Sequence, residues 1–266
     1  MLRKLLKYEI KATSRIFLPM YALLIVFALL NKFFMAVNSE LLRIPRAIAA
    51  TVFVFIIIGL CVVTLVVTIQ RFNKSLLTDE GYLSFTLPVR IHSHIDSKML
   101  VTLMWTILSF LVSMVSIFIM SIDKTTIWSL HRFVNELMRV LNKIGFNGYV
   151  LVLESILFVI IGILSVTLEI YAAITVGNMS SKHKLLAGVG AYLGFGVIQQ
   201  IIMSIIMSTC EKSISQYFDS MIRAGELAQV QLAQTVLFGL IAYMVIMGVV
   251  FYFFTEWMLR KKLNLE

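Results

Sequence analysis

The stretch Ala47–Ile69, AIAATVFVFIIIGLCVVTLVVTI, carries no charged residue and no proline. A hydrocarbon core about 30 Å thick is crossed by roughly 20 helical residues, so this segment is long enough to span a bilayer. Lipid offers backbone N–H and C=O groups no partner, so the segment must pair them internally, which forces a helix. Further windows of the same kind lie near Phe17–Ala36, Met99–Ile122, Tyr149–Val176, Leu185–Thr209 and Gln234–Trp257. The expected fold is all-α: an integral membrane six-helix bundle, with residues 1–266 forming a single transmembrane domain.

Composition agrees. The 266 residues are 60% hydrophobic and 14% charged, with a mean hydropathy of +0.94, whereas soluble domains are about half apolar and about a quarter charged. The basic start resembles the entrance to a signal peptide, but the apolar run behind it is longer than a signal core. Its exit, NKFFMAVNSE, lacks a small-x-small cleavage site, so the segment is expected to stay attached. With the N-terminus inside, fourteen of the 23 Lys and Arg fall on the inner side and nine on the outer. That bias predicts a multi-pass membrane protein with both termini in the cytoplasm. The net charge of +9 is read as rim charges that hold anionic headgroups and set topology; no nucleic-acid partner is expected.

Three segments are neither span nor plain loop. Residues 1–15 place Leu2, Leu5, Leu6 and Ile10 on one helical face and Arg3, Lys4, Lys7 and Lys11 around the other, the pattern of an amphipathic interfacial helix. Pro19 suits an early turn of the span that follows. Within the outer insertion 123–148, Ile127, Leu130, Val134, Leu137, Leu141 and Ile144 repeat at three and four residues. An amphipathic outer helix closed by Gly145 or Gly148 follows, and it can pack on the mouth of the bundle or lie on the lipid surface. The insertion 210–232 reads either as a structured loop or as two short helices broken at Ala224 and Gly225.

Spacing also suggests contacts. Gly190 and Gly194, four residues apart in the fifth span, make one face small enough for close helix packing, within the chain or across a dimer. Glu169, Gln199 and Gln200 are the polar groups at depth. An ionised carboxylate at a span centre costs about 2.5–3.5 kcal/mol on insertion scales. These three either line an internal pathway or bond helix to helix. Cys61 and Cys210 have no metal spacing and are read as packing residues.

The usual catalytic signatures are missing. No GxxxxGK[ST], GxSxG or HExxH occurs, and His92, His94, His131 and His183 all fall in connecting segments. No catalytic or metal-binding residue is assigned, and an enzyme is not expected.

The cytoplasmic passage 70–98 stands out. In LLTDEGYLSFTLPVRIHSHIDSK, Leu76–Lys98, the group Tyr82, Leu83, Phe85 and Leu87 is too short to span and too apolar to be left in water, and charges border it. That is the make-up of a docking surface. At these residues the chain resembles the membrane subunits of bacterial ABC exporters, particularly small six-span permeases from Firmicutes, in which LLTDEGYLSFTLPV looks like a form of a recurring DEGYL-FTLPV loop. The resemblance implies that Asp79, Glu80, Gly81, Tyr82, Leu83, Phe85, Thr86, Leu87 and Pro88 form a coupling loop seated on a separate ABC ATPase subunit. ATP and magnesium would be bound by that partner, with no cofactor in this chain. It further implies an elbow helix at residues 1–15, a re-entrant pair at Ser213–Gln231, and a second permease chain, as a homo- or heterodimer. Export of an amphipathic or apolar substrate, such as a lipid, an antimicrobial peptide or a drug, is implied too. The insert Thr125–Gly148 departs from that layout. Two other readings stand beside it: an ion- or proton-coupled secondary transporter using Glu169, and a non-transporting membrane scaffold or sensor.

Overall fold

The computed structural model describes residues 2–37, 42–77, 91–180, 182–223 and 225–261. The described residues form seven helices: α1 (Leu2–Ala36), α2 (Arg43–Leu76), α3 (Ile91–Ser121), α4 (Lys124–Ile144), α5 (Phe146–Gly177), α6 (Lys184–Arg223) and α7 (Glu226–Lys261). All but α4 are long and apolar enough to cross a membrane. The chain is therefore a multi-pass membrane protein, all-α as its composition requires. It divides into two compact units, Met1–Arg132 and Phe133–Glu266.

In the first unit, α1, α2 and α3 pack on one another. Each presents a stripe at alternating three- and four-residue steps: Phe17, Tyr21, Leu24 and Ala28 from α1; Phe53, Ile56, Leu60 and Val67 from α2; Val101 and Trp105 from α3. Such steps keep one seam of a helix facing its neighbours over many turns. Residues outside the seam, such as Phe55, Val62 and Phe110, are more than half exposed, as lipid-facing side chains should be.

The first fifteen residues are the opening turns of one 35-residue rod that runs to Ala36. Nothing between Arg15 and Phe17 breaks helical backbone, and the buried seam simply continues: Leu6 and Ile10 pack on the same core. Pro19 therefore lies within the helix and not at the first turn of a new one. Similarly, α3 begins at Ile91, so His92 and His94 belong to a helix and not to a connecting segment.

In the second unit α5 packs on both α7 and α6. Burial concentrates in the C-terminal halves of α5 (Leu168, Tyr171, Ala172, Ala173) and α7 (Phe251, Met258, Leu259). The backbones of α5 and α6 come close at Gly177 and Gly188: a Cβ added to Gly177 would lie 2.7 Å from the Gly188 Cα and from the Lys184 carbonyl oxygen. A helix break stands at Gly225, whose φ of +101 is open to glycine and strained for other residues. It separates two long helices that reach back into the fifth and sixth spans, where the sequence suggests short ones.

Candidate functional site

The expected coupling loop, Asp79, Glu80, Gly81, Tyr82, Leu83, Phe85, Thr86, Leu87 and Pro88, lies outside the described residues. Its two footings do not. α2 leads into it and α3 leaves it, and both are tied to α1 at that end by one carboxylate. Glu9 Oε1 accepts from Lys98 Nζ at 2.6 Å, and Glu9 Oε2 lies 3.6 Å from Arg71 Nε. The Lys98 side chain is 4% exposed and that of Glu9 17%, so screening by water is weak and the pair attracts more strongly than a surface bridge would. His94, one turn before Lys98 and buried, feels both charges.

Glu9 follows from the helix geometry. At 100° per residue it falls between Leu2, Leu5 and Leu6, at the centre of the apolar face of an otherwise basic start. An acid in that place must find a cation or give up its charge. Thr13, one turn on, repeats the logic: its hydroxyl donates to the Glu9 carbonyl at 2.8 Å and accepts from Trp105 Nε1 at 2.7 Å. The Trp105 ring stacks on Phe17 with centroids 4.6 Å apart. A turn further, the Tyr21 hydroxyl bonds Ser109 Oγ at 2.8 Å. Polar groups thus run along the α1–α3 seam from the loop end into the apolar core. Sequence reading passed over Glu9, Lys98 and Arg71 because each alone looks like a rim charge; the acid inside an apolar stripe was the available signal.

The deep polar residues of the second unit behave differently from one another. Glu169 on α5 is 9% exposed, and its carboxyl lies beside the Gln199 side chain of α6. The Tyr243 hydroxyl of α7 donates to the Gln199 carbonyl at 3.4 Å and lies within the field of Glu169. These residues join three spans at one level. Gln200, the next residue along α6, is exposed and stands apart from them. Gly190 and Gly194 also face open space within the chain, with nothing inside 4 Å of an added Cβ at either. Cys61 and Cys210 are free and exposed. Among the described residues, no three His, Cys, Asp or Glu side chains are placed to share a metal ion.

Chemically, the first cluster can hold two loop footings in fixed relation to α1, and the second can exchange hydrogen-bond partners across three spans. Neither sets a nucleophile beside a base. No known protein family, curated protein or solved structure matches the chain.

Proposed function

We propose that the chain is the membrane-spanning permease subunit of an ABC-type exporter, driven by ATP hydrolysis on a separate ATPase chain. The observation that carries the reading is the loop DEGYLSFTLPV, Asp79–Val89, set between two spans whose near ends are bound to α1 through Glu9. A partner that pushes such a loop moves α2 and α3 together with the N-terminal helix, because a buried ion pair resists separation. Movement of a docked loop between two states is how a distant nucleotide cycle can open and close a bundle. The apolar side chains Tyr82, Leu83, Phe85 and Leu87 would fill the partner's groove, with Asp79 and Glu80 at its rim. ATP and magnesium belong to that partner, and a second permease chain would complete the pathway. The membrane is taken to be a bacterial plasma membrane, with both termini on the cytoplasmic side.

The test is purification from the native membrane in mild detergent, with identification of what accompanies the chain. An ATPase subunit in fixed ratio, whose hydrolysis is stimulated by this chain, is the expected result. A chain that purifies without any nucleotide-binding partner and still moves substrate overturns the reading. The junction of Glu169, Gln199 and Tyr243 favours a second possibility, transport coupled to ions or protons through Glu169, for which ATPase stimulation would be absent.

A further inference from the structure

We infer that α4 is a monotopic membrane-surface helix that lies in the interface of a bilayer containing anionic lipid, on the face opposite the start of α1.

Its side chains sort by angle, Trp128 being the one large apolar residue that falls on the polar side. Val140, Phe133, Leu137, Leu130, Val134, Ile127 and Met138 occupy about half the helix circumference at 100° per residue, and His131, Asn135, Arg132, Arg139 and Glu136 the rest. Yet among the described residues nothing covers this apolar face. Phe133 is 64% exposed and Met138 52%, and every residue from Ile127 to Val140 is exposed. Left in water, such a face would be a large unpaid hydrophobic surface.

The ends say what covers it. Only Ile122 and Asp123 separate α3 from α4, and only Gly145, at φ +71, separates α4 from α5. Both neighbours are candidate spans, so α4 starts and finishes at a membrane rim. The junctions are also fixed. Lys32 of α1 donates to the Ile122 carbonyl and pairs with Asp123 at 3.1 Å. At the other end, Gly145 N–H donates to the Leu141 carbonyl at 2.8 Å, and the Tyr149 hydroxyl donates to Asn142 Oδ1 at 3.1 Å. A helix held at both ends at the bilayer rim has hydrocarbon within reach of its apolar face along its whole length.

Charge selects the lipid. The sequence of α4 carries four Lys or Arg and one Glu. That Glu136 is already paired with Arg139 at 2.8 Å, while Arg132 sits over the Trp128 ring at 5.4 Å. Cationic groups beside an interfacial tryptophan, above an apolar face, suit an anionic headgroup region. Three crossings by α1, α2 and α3 place this helix on the side away from the N-terminal start.

Single cysteines at Leu130, Phe133 and Leu137, and at His131 and Asn135, in the full-length chain with Cys61→Ser and Cys210→Ser, would carry a nitroxide each. The protein is reconstituted in vesicles of phosphatidylcholine alone and of equimolar phosphatidylcholine and phosphatidylglycerol. Collision with oxygen should dominate at the first three sites, placing them about 5–10 Å below the phosphates, and collision with a water-soluble nickel chelate at the other two. The first three should move deeper when phosphatidylglycerol is present, and the double variant Arg132→Glu, Lys143→Glu should lose that shift. Shielding of the apolar-face labels from both colliders would mean a protein partner or a second copy covers the helix, and would overturn the inference. So would access of the nickel chelate to those labels, or insertion indifferent to phosphatidylglycerol.

Discussion

Glu9 and Lys98, 89 positions apart in the chain, meet at 2.6 Å with the lysine almost wholly buried. The pair closes the loop-side end of the first unit. Removing one member leaves the other charge buried, and breaking such a pair costs about 3–5 kcal/mol. Lys98→Met should therefore lower resistance to unfolding in detergent by that order. The double variant Glu9→Gln, Lys98→Met should recover part of the loss, since the buried ammonium and carboxylate are then both gone while the more exposed Arg71 loses its contact with Glu9 at 3.6 Å. Simple addition of the two single effects in the cycle would show that the charges do not interact.

If the loop docks as proposed, Phe85→Asp puts a carboxylate into an apolar contact. Loss of one anchor of this kind weakens association by roughly 2 kcal/mol, about thirtyfold. Pull-down of the ATPase and stimulation of its hydrolysis should fall together, while helix content by circular dichroism stays unchanged. Full stimulation in the variant would refute the docking role of Phe85.

Trp105 is the hub of the first unit's seam, stacked on Phe17 and donating to Thr13. Trp105→Phe keeps most of the ring and loses the hydrogen bond, for a cost of about 1 kcal/mol. Trp105→Ala removes the ring as well and should cost about 3–5 kcal/mol. Equal losses in the two variants, measured by unfolding in detergent, would show that the hydrogen bond and not the ring carries the contact.

The glycines show what was legible in the sequence and what was not. The spans could be read because a stretch of about 20 apolar residues needs no tertiary information. Gly190 and Gly194 drew attention by their four-residue spacing, but spacing says which residues share a face and not which face meets a neighbour. In the structure that face is open, and the close approach falls on Gly177 and Gly188, which lie in different helices. The Glu9 cluster was hidden for the same reason: its three members come from three helices, and only the acid's place in an apolar stripe hinted at it. The separation of Glu169 and Gln199 from Gln200 likewise depended on how α6 is rotated against α5, which composition does not specify.

Substitution can tell these glycines apart. Gly177→Ala forces a Cβ to within 2.7 Å of the α6 backbone, and overpacking of this sort costs about 1–3 kcal/mol. Gly188→Ala meets its nearest atom at 3.6 Å and should be tolerated. Gly190→Ala and Gly194→Ala meet nothing within 4 Å and should stabilise the isolated chain by up to about 1 kcal/mol each through helix propensity. Should the same two changes weaken dimerisation in a crosslinking assay, the open face is where a second permease chain sits.

Glu169 separates the two transport readings. Its carboxyl lies beside the Gln199 side chain, and Glu169→Gln keeps the shape and an acceptor oxygen while removing the ability to hold a charge. Hydrogen bonds between spans are worth about 0.6 kcal/mol on average, so the fold should survive the change with little loss. A transporter driven by a separate ATPase has no need of a titrating group there, and its ATP-dependent transport should be nearly unaffected. A carrier that moves ions or protons through this level of the membrane must lose coupling with the charge, because an ionisable group at depth would then be its relay. Transport by the variant in sealed vesicles, with and without ATP, therefore decides the matter: loss of transport in a preparation without ATPase activity would replace the ATP-driven reading by the ion-coupled one.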